Sequence, residues 1–173
     1  EKIDGVIYDM SPSPNFKHGI INNNINRMIG YHLKDSMCLV FMENLDFKYH
    51  PDTNDDYVCP DIMVVCDRKR LKGGAYSGVP KFIAETLSPS TKKDKTVKKE
   101  IYEQAGVEEY WIVSPQGSLE IYYLEDGKYV LDQSYILQDD QEEEDYNAET
   151  AITLKAFPQV VITLAEIFQG LEE

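Results

Sequence analysis

Residues 80–114, PKFIAETLSPSTKKDKTVKKEIYEQAGVEEYWIVS, constrain the fold of this chain more than any other stretch. A short apolar strand carries one carboxylate, Glu85, into a Ser-Pro-Ser-Thr turn, and a helix leaves that turn. Asp94, Lys98 and Tyr102 follow at intervals of four, so they stack along one helix face. Thr91 with Asp94 forms a capping-box-like start, and Gly106 stands where a helix C′ glycine belongs. The helix buries Val97, Ile101 and Ala105, which puts Lys98 and Tyr102 on the margin of the buried stripe rather than in open solvent.

Upstream, Pro60-Asp61 opens a second apolar strand, Ile-Met-Val-Val-Cys. Strand alternation groups Asp61, Met63 and Val65 on one face, and Lys81, Ile83, Glu85 and Leu87 on one face of the other strand. Glu85 lies in a segment too apolar for a solvated surface. A carboxylate buried there without a partner is strongly disfavoured, so it needs a metal, a cation or a proton. Two readings stand together at this point. Glu85 pairs with Lys98 as a structural ion pair, or Glu85 and Asp61 hold Mg²⁺ while the lysine serves a water molecule. Taken singly, the neighbours read more plainly. Asp61 is a strand-start residue, Asp94 a helix cap, Tyr102 an aromatic with a hydrogen-bonded hydroxyl, and His18 a structural histidine.

The element order is that of a mixed α/β chain. Residues 1–10 form a small hairpin around Asp4-Gly5, ended by Ser11-Pro12-Ser13-Pro14. From Phe16 to Leu33 apolar residues recur at helical spacing, although Asn22, Asn23 and Asn24 weaken the helix. Met37 to Phe47 reads as a strand, followed by a polar loop and the strands near 61–66 and 81–87. The stretch RKRLKGGAYSG between those two strands reads as a loop. Three strands, Glu109–Val113, Leu119–Leu124 and Tyr129–Leu137, follow with hairpin breaks at Gly117-Ser118 and Asp126-Gly127. A short strand near 151–154 and a helix, Leu164–Leu171, close the chain. At 173 residues, one domain spanning 1–173 is expected.

A net charge of −14 argues against a general nucleic-acid coat. The charge is uneven, however. Residues 139–145 hold six carboxylates and read as a solvated loop, while 92–99 hold five lysines beside Asp94. The three cysteines, Cys38, Cys59 and Cys66, form no C-x-x-C pair, so free thiols in a reducing cytoplasm are expected and zinc is disfavoured. No apolar run nears the ~20 residues of a membrane span, and no secretory segment follows Glu1. Asp52, Asp55 and Asp56 lack the glycine and closing glutamate of an EF-hand. There is no P-loop, nucleophile elbow or dinucleotide fingerprint.

Taken in order, several pieces resemble one family. They are Glu1-x-x-Asp4-Gly5, His18, Pro60-Asp61-Ile-Met-Val-Val and Gly78-Val79-Pro80. They continue through Glu85-x-Leu87-Ser88-Pro89-Ser90-Thr91, Asp94-x-x-x-Lys98-x-x-x-Tyr102 and Gly106-Val107-x-Glu109-Tyr110-Trp111. This pattern resembles the Uma2 family of restriction-endonuclease-like proteins, a branch of the PD-(D/E)XK nuclease superfamily. The resemblance implies a restriction-endonuclease-like core, a central mixed β-sheet flanked by helices with additional β-hairpins. It makes Asp61 and Glu85 the metal-binding acids for Mg²⁺ or Mn²⁺. In the superfamily's usual motif a lysine sits two residues after the second acid, where this chain has Leu87; the family places it at Lys98 instead. Asp94 and Tyr102 would support that lysine, and His18 is a further site residue. Relatives often carry an aspartate where this chain has Lys81, a departure that touches substrate preference more than chemistry.

The expectation is a DNA endonuclease with Asp61, Glu85 and the backbone carbonyl near Thr86 around the ion, and Lys98 orienting water. Lys92, Lys93 and Lys95, with Arg68-Lys69-Arg70, would meet phosphates. Cutting both strands of a duplex would suit a homodimer. The rival reading is a catalytically inactive nuclease-fold binding module, which the acidic charge favours; a hydrolase acting on RNA or a nucleotide is the third.

Overall fold

A computed structural model of the chain describes residues 1–9, 15–88 and 92–171, with side chains throughout except at 92–95. It opens with the hairpin β1 (Lys2–Ile3) and β2 (Val6–Ile7). Asp4 and Gly5 both take positive φ, 49° and 76°, as a two-residue hairpin turn requires. The helix α1 (Phe16–Leu33) follows, then β3 (Leu39–Met42), β4 (Asp46–Phe47) and β5 (Ile62–Val65). A 3₁₀ turn at Arg68–Arg70 leads to β6 (Leu71–Lys72) and β7 (Ala75–Tyr76). Next come β8 (Phe82–Thr86), α2 (Lys92–Ala105), β9 (Glu109–Ser114), β10 (Ser118–Glu125) and β11 (Lys128–Ile136). The chain closes with β12 (Ala151–Thr153), β13 (Val161–Thr163) and α3 (Leu164–Phe168).

Six strands form a central mixed sheet in the order β11-β10-β9-β8-β5-β3. Its pairings are antiparallel except β8 with β9, which run parallel because α2 carries the chain back between them. One face packs on α1 and α3 through Ile21, Ile25, Ile29 and Leu33, set against Ile62, Val64, Phe82 and Trp111. The four α1 residues are one turn apart and almost fully buried, each contributing about 1.5–3 kcal/mol of apolar burial. That stripe outweighs the low propensity of Asn22 to Asn24. Asn24 also donates to the Ile167 and Gln169 carbonyls, at 3.2 and 2.9 Å, and so ties α1 to the end of α3. The opposite face of the sheet packs Met63, Val65, Ile83 and Tyr110 against Ile101 and Tyr102 of α2 and against Phe47 and Tyr76.

Some details depart from expectation. The strand expected over 37–47 breaks after Met42, and β4 leaves the main sheet to pair in parallel with β7. The stretch expected as a loop at 68–78 supplies β6 and β7 of that small three-stranded sheet. The 151–154 strand finds a partner in β13, which the sequence pattern did not mark. Three free thiols were expected, yet Cys38 and Cys66 form a disulfide and Cys59 alone is free among the described residues. The cause is register: Leu39 faces Val65 in the antiparallel β3–β5 pair, so the next residues out face each other too. The Ser11–Pro14 stop and the Thr91 cap lie outside the described residues, whereas Gly106 takes the expected left-handed conformation at φ 84°.

Glu109, on β9, is buried, and among the described residues no cation forms an ion pair with it. Its Oε1 accepts from Trp111 Nε1 at 3.0 Å and its Oε2 from the Ala156 amide at 3.1 Å. Burial lifts its carboxyl to about 7 despite those two donors.

Candidate active site

The site lies where β5 begins and β8 ends. Ile62 pairs with Ala84, so Asp61, one residue earlier, comes alongside Glu85 and Thr86. Asp61 Oδ2 accepts a 2.7 Å hydrogen bond from the Thr86 amide and lies 3.1 Å from His18 Nε2. The other ring nitrogen of His18, Nδ1, lies 3.3 Å from Glu43 Oε1. With a carboxylate against each nitrogen, both must carry protons for both contacts to be hydrogen bonds. Burial alone would push the imidazole down; the Asp61 hydrogen bond and the charges of Asp61, Glu43 and Glu85 overcome it and hold His18 above its usual range.

Asn22, one turn beyond His18 on α1, locks this half together. Its amide nitrogen donates to Glu43 Oε1 at 2.7 Å, and its oxygen accepts from the Thr86 hydroxyl at 2.6 Å. Glu43, just past β3, takes a φ of 55°, rare for a residue with a side chain, and its amide donates to the Asp61 carbonyl at 3.1 Å. A non-glycine residue held left-handed by its surroundings is a sign of a functional position. His18, Glu43 and Asp61 each offer one ligand atom, all within 4.8 Å of one another. Carboxylate oxygens with an imidazole suit a divalent ion, Mn²⁺ more readily than Mg²⁺ where the histidine takes part.

The second half gathers around Glu85. Tyr102 donates to Glu85 Oε1 at 2.5 Å, and Lys98 Nζ lies 3.3 Å from that oxygen and 2.9 Å from Glu1 Oε1. Glu1 is fixed in turn by the Cys59 amide at 3.1 Å. Burial is the main influence on Glu85 and raises its carboxyl to about 8; Lys98 and Tyr102 oppose this, and Asp61 adds to it. Burial acts to lower Lys98, but Glu85, Glu1 and Asp61 outweigh it and keep the ammonium charged far into the alkaline range. Acids outnumber bases here: Glu1, Glu43, Asp61 and Glu85 share one lysine and one histidine. Glu85 is the most enclosed of the four, so the excess bears on it most. A divalent cation would meet the same deficit, so the donor set fits one.

Asp61, Glu85, Thr86, Lys98, Tyr102 and His18 lie together in the structure. The ion-pair contact between Glu85 and Lys98 is present too. Leu87, at the usual lysine position, packs instead with the apolar cluster under α2. The side chains of Asp94, Lys92, Lys93 and Lys95 lie outside the described residues. Glu43 and Asn22 were not anticipated. For Asn22 the available signal was a polar side chain one turn after His18 on a helix with a buried stripe.

A family model described as "Uma2: Putative restriction endonuclease" matches residues 1–164. The chain belongs to the Uma2 family. A solved structure described as a "putative nuclease belonging to DUF820", from Anabaena variabilis, superposes with a TM-score of 0.72 at 17% identity, covering 98% of this chain and 89% of that one. At that identity the likeness is one of fold: a central mixed sheet flanked by helices, as in this Uma2 chain. An "Uncharacterized protein slr1290" from Synechocystis is 32% identical over 91 residues, 53% of this chain and 46% of that protein. The match thus spans about half the length of that curated relative. Among the described residues, no helix is long and apolar enough to cross a membrane.

Proposed function

We propose that this Uma2 protein is a divalent-metal-dependent nuclease that hydrolyses DNA phosphodiester bonds. The observation carrying this reading is the excess of buried acid around one lysine: Asp61 and Glu85 side by side at a strand-pair end, with Lys98 Nζ 3.3 Å from Glu85. Asp61, Glu85 and the backbone carbonyl of Thr86 would hold the ion, Mg²⁺ or Mn²⁺, with Glu43 and His18 close enough to take part. When bound, such an ion polarises a phosphoryl oxygen and lowers the pKa of water.

The protein's own groups do the rest. The Thr86 amide fixes Asp61 Oδ2 in place, and the Asn22 amide fixes Glu43. Tyr102 sets the rotamer of Glu85. Lys98 stays protonated, so it donates hydrogen bonds and stabilises negative charge building on phosphorus-bound oxygens; it does not abstract a proton. Against a non-catalytic module stands the same cluster, since a scaffold gains nothing from burying Glu85 beside Asp61.

The test is calorimetric titration of Mn²⁺ followed by cleavage of single-stranded, duplex and branched DNA. Wild type should bind Mn²⁺ and cut at least one of these, and Glu85→Ala should lose both. Lys98→Met should retain Mn²⁺ binding while losing cleavage. A wild type that binds no metal and cuts nothing would remove the reading.

A further inference from the structure

At the far end of the β5–β8 pair lies a cavity of about 860 Å³ that the carboxylate site does not use. A volume in this range suits a ligand the size of a nucleotide. Its lining includes Lys48, Arg68, Lys69, Arg70 and Lys81 against only Asp52 and Asp67. Five cations gather here out of the 17 lysines and arginines in a chain of net charge −14. That concentration opposes the charge of the whole molecule, so chance surface composition does not account for it.

The cations are poorly neutralised. Lys81 is paired with Glu108 at 2.7 Å, but Lys48 and Lys69 form no ion pair among the described residues, and Arg70 reaches Asp67 only at 3.9 Å. Arg68 commits its Nε to the Met37 carbonyl at 2.7 Å, which anchors the guanidinium at the mouth. Beneath them the floor is apolar. Phe47 and Tyr76 are buried, and Tyr76 is tied by its hydroxyl to the Val79 carbonyl at 3.4 Å. Gly78 forms part of the wall, where a Cβ would collide with the Tyr76 ring. A cationic rim over a cavity of this size matches the phosphates of a nucleic-acid strand.

Position relates the cavity to the site. Asp61 and Cys66 bracket β5, so the cavity mouth lies roughly 16 Å from Asp61 along the strand. Phe47 and Tyr76 pack on the same sheet face as Met63, Val65 and Ile83, which is also the face of Asp61 and Glu85. At roughly 3.4 Å per stacked nucleotide, the separation corresponds to about five nucleotides of one strand. A protein this acidic, with this small basic cavity, suits a short single-stranded contact better than a duplex with its doubled charge density.

We propose that this cavity seats a single-stranded DNA segment, a subsite for its phosphates about five nucleotides from the carboxylates. The choice of DNA as ligand rests on the nuclease reading; the cationic seat does not. The test is fluorescence anisotropy of a labelled thymidine oligomer of about 12 nucleotides, in EDTA, between about 50 and 200 mM salt. The Arg68→Glu/Lys69→Glu double variant should bind about tenfold more weakly or worse, and its log–log salt slope should fall by roughly 1.4. Lys48→Gln, which leaves the Arg68 anchor intact, should weaken binding about two- to fivefold. Unchanged circular dichroism and Mn²⁺ affinity in these variants would show that the carboxylate site stays folded. Equal affinity and equal salt slope in wild type and double variant would overturn the subsite, as would a wild type that fails to bind the oligomer. Tighter binding of the matching uridine oligomer by about tenfold or more would overturn DNA as the ligand. Failure of the nuclease reading shows separately, as absent Mn²⁺ binding and absent cleavage.

Discussion

Glu109 offers a test of the fold's electrostatics that is independent of any metal. Its carboxyl rises from an ordinary 4.5 to about 7 in the folded chain, chiefly through burial. The folded state then keeps a proton that the unfolded chain has already released. Stability is therefore greatest below the unfolded value and falls as pH climbs through the window from 4.5 to about 7. A tenfold change in protonation equilibrium corresponds to about 1.4 kcal/mol, so about 3 kcal/mol is at stake across the window. Roughly 2.5 kcal/mol of it lies between about pH 5 and about pH 8. Other groups titrate over the same range, so the comparison needs Glu109→Gln, which keeps the shape and cannot ionise. The variant turns one acceptor into a donor facing Trp111 Nε1 or the Ala156 amide, a penalty of about 1–3 kcal/mol that does not change with pH. Urea unfolding of both proteins at the two pH values gives the result. Relative to the variant, the wild type should lose about 1 M in urea midpoint on going from the acidic to the alkaline buffer, for a slope of roughly 2 kcal/mol per molar. A difference that is flat to within about 0.5 kcal/mol would refute the argument that burial governs this carboxyl.

Three further outcomes are expected. Removing the Cys38–Cys66 bridge by Cys38→Ser should lower stability by about 2–4 kcal/mol, read as an unfolding midpoint that reductant shifts in the wild type and leaves alone in the variant. Asn22→Ala strips both Glu43 and the Thr86 hydroxyl of a buried partner, so it should destabilise by about 1–3 kcal/mol in a thermal melt and weaken Mn²⁺ binding in calorimetry. Lys98→Met leaves Glu85 and Glu1 without their cation and should cost about 3–5 kcal/mol; added Mn²⁺ should raise its melting temperature more than that of the wild type, and an equal rise in both would contradict the charge deficit drawn above.

What could be read from the chain before its structure was largely what local pattern encodes. The four-residue stripe of α1, the two buried strands around Asp61 and Glu85, and the Asp-Gly hairpins all follow from periodicity and turn chemistry. Lys98 was legible because helix spacing aligns it with Tyr102, and the structure brings both to Glu85. The misses share a physical cause: each depends on a register that only the assembled sheet defines. Cys38 meets Cys66 because β3 lies antiparallel to β5. Glu43 faces His18 because the backbone turns left-handed after β3, and no neighbouring residue announces that turn. Asn22 sits in a polar run that argues against its own helix, yet its buried contacts lie 21 and 64 residues away.

The single parallel pair in the sheet has a consequence for how the site comes into being. Where an acid and a lysine share a strand, their spacing is written into two peptide units and exists as soon as the strand is extended. Here β8 delivers Glu85, whereas Lys98 arrives only when the crossover helix has docked on the sheet. If the site holds an ion, as proposed above, holding it and placing a cation become separable events in the life of the molecule. Strands alone could do the first, and only the closed crossover does the second. On the nuclease reading proposed above, loosening α2 would withdraw Lys98 and the Tyr102 hydroxyl from Glu85 while Asp61 keeps its bond to the Thr86 amide, an off state with every carboxylate still on its strand.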